Sequence, residues 1–153
     1  MIINRILDKE LTLCQAQGNS KKRVLETIAE LIHQHHNEID AAELFQQLTA
    51  RERLGSTAIG HGIAIPHCRC TSIESTIGCL LTLKEPVDFD AQDDTGVDII
   101  FVLLVPSQAT EEHLQTLSEL ASLLSQPNYT ENLRKSQTRD ELFNVATQFE
   151  MAA

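Results

Sequence analysis

The run Asp98 to Val105, DIIFVLLV, constrains this chain more than any other stretch. Branched and aromatic apolar residues follow one another without polar alternation, the pattern of a buried strand, and Pro106, which cannot donate to a sheet ladder, stops it. Thr76 to Leu83 reads as a second buried strand, followed by Pro86 and a short piece at Val87 to Phe89. Ile63 to Ile65 is a third, shorter apolar run that Pro66 is expected to end. Helical patterns lie between and after these strands. Lys21 to His35 carries Val24, Leu25, Ile28, Ala29 and Ile32 at helical spacing, and Asp40 with Glu43 resembles a capping box opening a helix that holds Leu44, Phe45 and Leu48. After Pro106, Thr110 is the expected N-cap of a helix with Glu111 and Glu112 in its first turn and an apolar stripe at Leu114, Leu117, Ala121 and Leu124. A last amphipathic helix is expected near Thr138 to Phe149, with Leu142, Val145 and Phe149. The pattern predicts one α/β domain over residues 1–153, with helices flanking a central sheet on both faces and no repeat or linker.

Composition narrows the function classes. A chain of 153 residues, 42% of them hydrophobic, can bury a full core, and it has no apolar stretch long enough for a membrane span. Met1 to Leu7 lacks the extended apolar region of a signal peptide. Four cysteines without a disulfide framework fit the reducing cytoplasm. A net charge of −10 argues against nucleic-acid binding.

The chemistry concentrates in Arg51 to His67, RERLGSTAIGHGIAIPH. Gly55, Gly60 and Gly62 let the backbone turn or approach another group before Ile63–Ile65, and Pro66 then presents a single imidazole, His67, at a strand's carboxyl end, where α/β sheets gather ligands. A second histidine, His113, falls in the first turn of the helix after Pro106. It lies four residues before Leu117 and seven before Leu120, so it points along the inward face, and the positive end of the helix dipole favours its neutral form. Taken alone, His113 reads as a satisfied core histidine. Cys68 and Cys70, flanking Arg69, offer one half of a metal site without a second half, and His33, His35 and His36 read as the polar end of a helix.

Taken in order, Ser20 to Arg23 (SKKR), Arg51-Glu52, Gly55-Ser56-Thr57, Gly62 to His67 (GIAIPH), Phe89-Asp90-Ala91, Val97-Asp98, Leu103 to Pro106 (LLVP) and His113-Leu114 resemble the mannitol/fructose-type IIA domain of the bacterial sugar phosphotransferase system. Within it, SKKR leading into VLETIAELI and GSTAIG leading into GIAIPH are most similar to the nitrogen-regulatory branch. The resemblance implies a small mixed sheet sandwiched by helices. It implies that His67 is the phosphoryl acceptor, that His113 helps hold the phosphohistidine, that Arg51 stands near the phosphoryl group, and that a histidine-containing phosphocarrier protein is the donor. The residue types suit that chemistry. A neutral imidazole is a competent nucleophile, Arg51 is an always-charged planar fork for a dianion, and Ser56, Thr57 and nearby backbone N–H groups are candidate phosphoryl contacts. No metal, nucleotide or other cofactor is required. Two positions depart from the family pattern. Cys68 replaces the usual glycine and is expected to narrow the approach to His67 or set a thiol beside it, and Gly96 replaces a common proline and is expected to loosen its loop.

Three functions follow from these expectations. The first is a regulatory phosphocarrier whose two forms bind different protein targets, because a phosphohistidine adds charge and acceptor oxygens. The second is a transport IIA component handing the phosphoryl group to a IIB domain, for which the chain holds no segment of sufficient size. The third is a protein-binding domain whose His67 no longer turns over.

Overall fold

A computed structural model describes residues 2–109 and 111–149. In chain order the elements are α1 (Ile2–Ile6), β1 (Leu7–Ala16), α2 (Lys21–His35), α3 (Ala41–Leu54), β2 (Ala58–Gly60), β3 (Ile63–Ala64), β4 (His67–Cys70), β5 (Ile77–Val87), β6 (Val97–Pro106), α4 (Glu111–Leu124), α5 (Pro127–Lys135) and α6 (Arg139–Thr147). The sheet order is β1-β5-β6-β3-β2, with β4 also paired to β6. β1 and β5 run parallel, as do β6 and its neighbours β3 and β4, while β5–β6 and β2–β3 are antiparallel, so the sheet is mixed.

The apolar run of β6 forms the middle of the sheet, and its side chains divide by parity because successive strand residues face opposite ways. Ile100, Val102 and Leu104 join Val24, Leu25, Ile28, Leu44 and Leu48 in a core under α2 and α3. Ile99, Phe101, Leu103 and Val105 join Ile3, Leu120, Leu123, Tyr129, Leu133 and Leu142 in a second core under α1, α4, α5 and α6. Helices therefore cover both faces. Their ends are set by short polar side chains: Ser20 Oγ accepts the Arg23 N–H at 3.1 Å, Asp40 Oδ2 accepts that of Glu43 at 2.9 Å, and Thr138 Oγ1 accepts that of Glu141 at 3.1 Å. Each such cap contributes about 1 kcal/mol.

The structure corrects three expectations. Pro66 interrupts a strand without ending it: Ile63 lies opposite Ile99 and His67 opposite Leu103, so β4 resumes in the register of β3, and the Pro66 carbonyl accepts the Leu103 N–H at 2.9 Å. Only the missing proline N–H is lost from the ladder. β5 runs without a break to Val87, passing Pro86 where the ladder is irregular and Lys84, Glu85 and Pro86 are exposed, a place at which a proline costs no buried hydrogen bond. Leu114 is 69% exposed, and the inward face of α4 is carried by Leu120, Leu123 and Leu124 with Leu117 partly buried. At Gly96 an added Cβ would come within 2.8 Å of Pro86 Cβ, a close approach that the glycine permits. The expected N-cap Thr110 lies outside the described residues.

Candidate functional site

Parallel pairing brings the two histidines together. His67 opens β4 beside Leu103 in the last part of β6, and the chain leaving β6 at Pro106 turns into α4, whose third residue is His113. Their ring centroids are 5.5 Å apart with planes tilted by 50°. The site thus lies toward the carboxyl end of β6, beside the start of β4 and the first turn of α4.

His67 is half-buried, and its Nδ1 lies 2.8 Å from the carbonyl oxygen of Ile65. A carbonyl can only accept, so Nδ1 carries the proton and Nε2 keeps its lone pair. Burial holds the ring's pKa below the ordinary 6.5; the Ile65 hydrogen bond opposes that shift, the charge of Arg51 adds to it, and Glu52 works against it. His113 is likewise held below 6.5, first by burial and then by the charges of His67 and Arg69. Its Nδ1 is buried without a hydrogen-bond partner among the described residues. The pair is therefore two neutral imidazoles, one of them with a defined tautomer.

The remaining predicted residues surround this pair in different ways. Arg51 sits in the last turn of α3, where its guanidinium donates to the Gly55 carbonyl at 2.9 Å while its charge reaches His67. Ser56 Oγ donates to the Phe89 carbonyl at 2.5 Å and accepts the Ala58 N–H at 3.1 Å. The Thr57 hydroxyl donates to Glu52 Oε1. Both hydroxyls are thus engaged in holding the loop between α3 and β2. Cys68 does not stand beside the His67 ring. Because strand residues alternate, Cys68 and Cys70 face the α2–α3 core, and burial raises the Cys68 thiol to about 12, so it stays protonated.

Two residues given no role in the sequence reading pack beside these groups. Arg69 shares the His67 face of β4 and donates to the carbonyls of Ser107, at 3.0 Å, and Ala109, tying β4 to the segment that leads into α4. Glu52, quoted within the Arg51-Glu52 pair but given no role, is buried, and its place four residues after Leu48 on the inward face of α3 was the signal.

The comparisons with known proteins agree with this geometry. The family described as "Phosphoenolpyruvate-dependent sugar phosphotransferase system, EIIA 2" matches residues 5–148. A nitrogen regulatory protein of Pseudomonas aeruginosa is 47% identical over 143 residues, covering 94% of this chain and 93% of that protein. A nitrogen regulatory protein of Escherichia coli is 38% identical over 151 residues, covering 97% and 91%. The crystal structure of nitrogen regulatory protein IIA-Ntr from Neisseria meningitidis superposes with a TM-score of 0.88 at 38% identity, over 96% of this chain and 100% of that one. IIA mannitol from Escherichia coli shares the fold, with a TM-score of 0.74 at 20% identity over 91% and 97% of the two chains. A mixed six-stranded sheet with helices on both faces, two apposed neutral histidines at one end of it and these matches over nearly the whole chain lead to one conclusion: the chain belongs to the EIIA type 2 family of the phosphoenolpyruvate-dependent sugar phosphotransferase system.

Proposed function

We propose that His67 accepts a phosphoryl group on Nε2 from a histidine-containing phosphocarrier protein, and that the chain acts as a regulatory phosphocarrier of the nitrogen type. The observation that carries this reading is the Nδ1–Ile65 hydrogen bond, because it leaves Nε2 as the nucleophile with no proton to remove. In the transfer, the donor's P–N bond breaks as the Nε2–P bond forms, and Nδ1 keeps its proton. Positive charge then develops on the ring, and the Ile65 carbonyl holds Nδ1–H more strongly in the transition state than before it, so the contact favours reaction and not merely binding. A pKa below 6.5 keeps the ring neutral and nucleophilic at neutral pH.

In this reading His113 donates to the phosphoryl oxygens and Arg51 supplies the fixed positive charge that a dianion needs, supported by the 5.5 Å between the two histidine rings and the effect of the Arg51 charge on His67. Ser56 and Thr57 serve this reading by holding the loop between α3 and β2, their hydroxyls being taken up by Phe89 and Glu52 and the Thr57 N–H by Glu52. Exposed Leu54 and Leu114, at 86% and 69%, adjoin the segments of Arg51 and His113 and offer the donor apolar contact. Charge and acceptor oxygens appear on His67 when it is modified, which is how the two forms would address different protein targets. The four free cysteines suit a cytoplasmic setting, and no described helix is long and apolar enough to cross a membrane.

Transfer from a reconstituted donor chain to the wild type and to His67→Ala, followed as an acid-labile mass increment, tests the reading. The increment should form on the wild type and be absent from His67→Ala. An increment retained by His67→Ala would remove the assignment, and a donor that modifies another acceptor but not the wild type would leave a binding domain.

A further inference from the structure

The inward face of α3 carries a carboxylate where the pattern calls for an aliphatic side chain. Leu44, Leu48 and Glu52 follow at four-residue spacing, and all three are buried. A buried carboxylate is costly unless it is both paired and hydrogen-bonded. Glu52 is both. Lys21 Nζ lies 2.7 Å from Oε2, the Thr57 N–H donates to Oε2 at 3.3 Å, and the Thr57 hydroxyl donates to Oε1. Lys21 is itself held by Asp90 at 3.5 Å and lies over the Phe89 ring, 5.1 Å from its centroid.

From Thr57 the contacts continue to the reacting ring. The Thr57 carbonyl accepts the Ile65 N–H at 3.0 Å, and the Ile65 carbonyl accepts the His67 Nδ1–H at 2.8 Å. Pro66, between the last two residues, has no N–H and a fixed φ, so Ile65 owes its position to Thr57 on one side and to the proline ring on the other. We propose that Glu52, with Lys21 as its counter-ion, is a positioning residue for phosphoryl transfer: acting through Thr57 and Ile65, it fixes the carbonyl that keeps His67 in its Nδ1–H tautomer. The inference rests on His67 being the acceptor. The neighbouring Arg51 touches the phosphoryl chemistry through charge, whereas Glu52 acts on the acceptor's proton through backbone.

The test combines rate with tautomer. Transfer from an active donor and the ¹⁵N spectrum of the His67 ring, taken above its titration, are compared in wild type, Glu52→Gln and Thr57→Val. Glu52→Gln should slow transfer about tenfold and raise the share of the Nε2–H tautomer. Thr57→Val, which removes one of the two Thr57 donors and keeps the shape, should move both readouts the same way by less. A folded Glu52→Gln with wild-type tautomer overturns the proposal even if transfer is slower, because the residue would then be structural only. Should Glu52→Gln fail to fold, Thr57→Val decides, and an unmoved tautomer there overturns the proposal equally. If the wild type takes no phosphoryl group on His67, the acceptor reading fails by itself, and the ring spectra still report whether Glu52 sets the tautomer.

Discussion

The two ends of β6 are built from similar materials for opposite purposes. At the amino end, Asp98 accepts from Arg134 Nε through both oxygens at 3.0 Å, and Arg134 Nη2 donates to the His61 carbonyl at 2.7 Å. The Gly62 carbonyl receives the N–H groups of Asp98 and Ile99 at 2.9 and 3.1 Å, and a Cβ on Gly62 would meet Arg134 at 2.8 Å. These groups are paired with one another, and an ion pair ties α5 to the sheet. At the carboxyl end, His67 spends one ring nitrogen on Ile65, and His113 leaves a buried Nδ1 without a partner among the described residues. An unsatisfied buried nitrogen costs on the order of 1–3 kcal/mol. The groups named at one end bind one another, while the other end carries two histidine rings 5.5 Å apart.

Substitutions at the two ends should therefore separate transfer from stability. The largest effect is expected of His67→Ala, which should abolish phosphoryl acceptance while a thermal melt shifts little. Gly62→Ala should do the reverse. It forces an L side chain into φ +82° against Arg134, and denaturant unfolding should show a loss of about 3 kcal/mol with transfer by the folded fraction intact. His113→Ala should slow transfer by about ten- to a hundredfold without weakening donor binding to the same degree, and an unchanged rate would reduce His113 to packing. Arg134→Ala, which strands the partly exposed Asp98, should cost about 1–2 kcal/mol of stability and leave transfer alone. The smallest effect concerns pH. Since both imidazoles are held below 6.5, the unfolded chain takes up protons first as pH falls, so their contribution to stability is complete above 6.5 and is lost as pH drops through the folded-state values. An NMR titration of His67 with a midpoint at or above 6.5 would contradict the desolvated, neutral acceptor.

What was legible in the chain followed from how strongly each element depends on its own residues. β6, α2 and α3 announce themselves through unbroken apolar runs or helical spacing with a capping side chain, and they stand where expected. β1 gives no such signal. It is an edge strand with Asp8, Lys9 and Glu10 exposed in its first half, and its partner β5 supplies the reason it is a strand. α5 is short and polar, with Tyr129 and Leu133 its apolar buried residues beside the buried Thr130, and Pro127 at its start was the available clue. Within the site, the two histidines could be read from their motifs, but their apposition needed the parallel pairing of β4 with β6. Ser56 and Thr57 read as candidate donors because a sequence does not say which hydroxyls the backbone and Glu52 will claim. The tautomer of His67 was out of reach for the same reason, as it depends on a carbonyl two residues away.

The account turns on Nε2 of His67, and the most direct measurement is ³¹P and ¹⁵N NMR of the phosphorylated wild-type protein. It should show phosphorus bonded to Nε2 of His67 with Nδ1 still protonated toward Ile65. Phosphorus on Nδ1 of His67, or on His113, would contradict it.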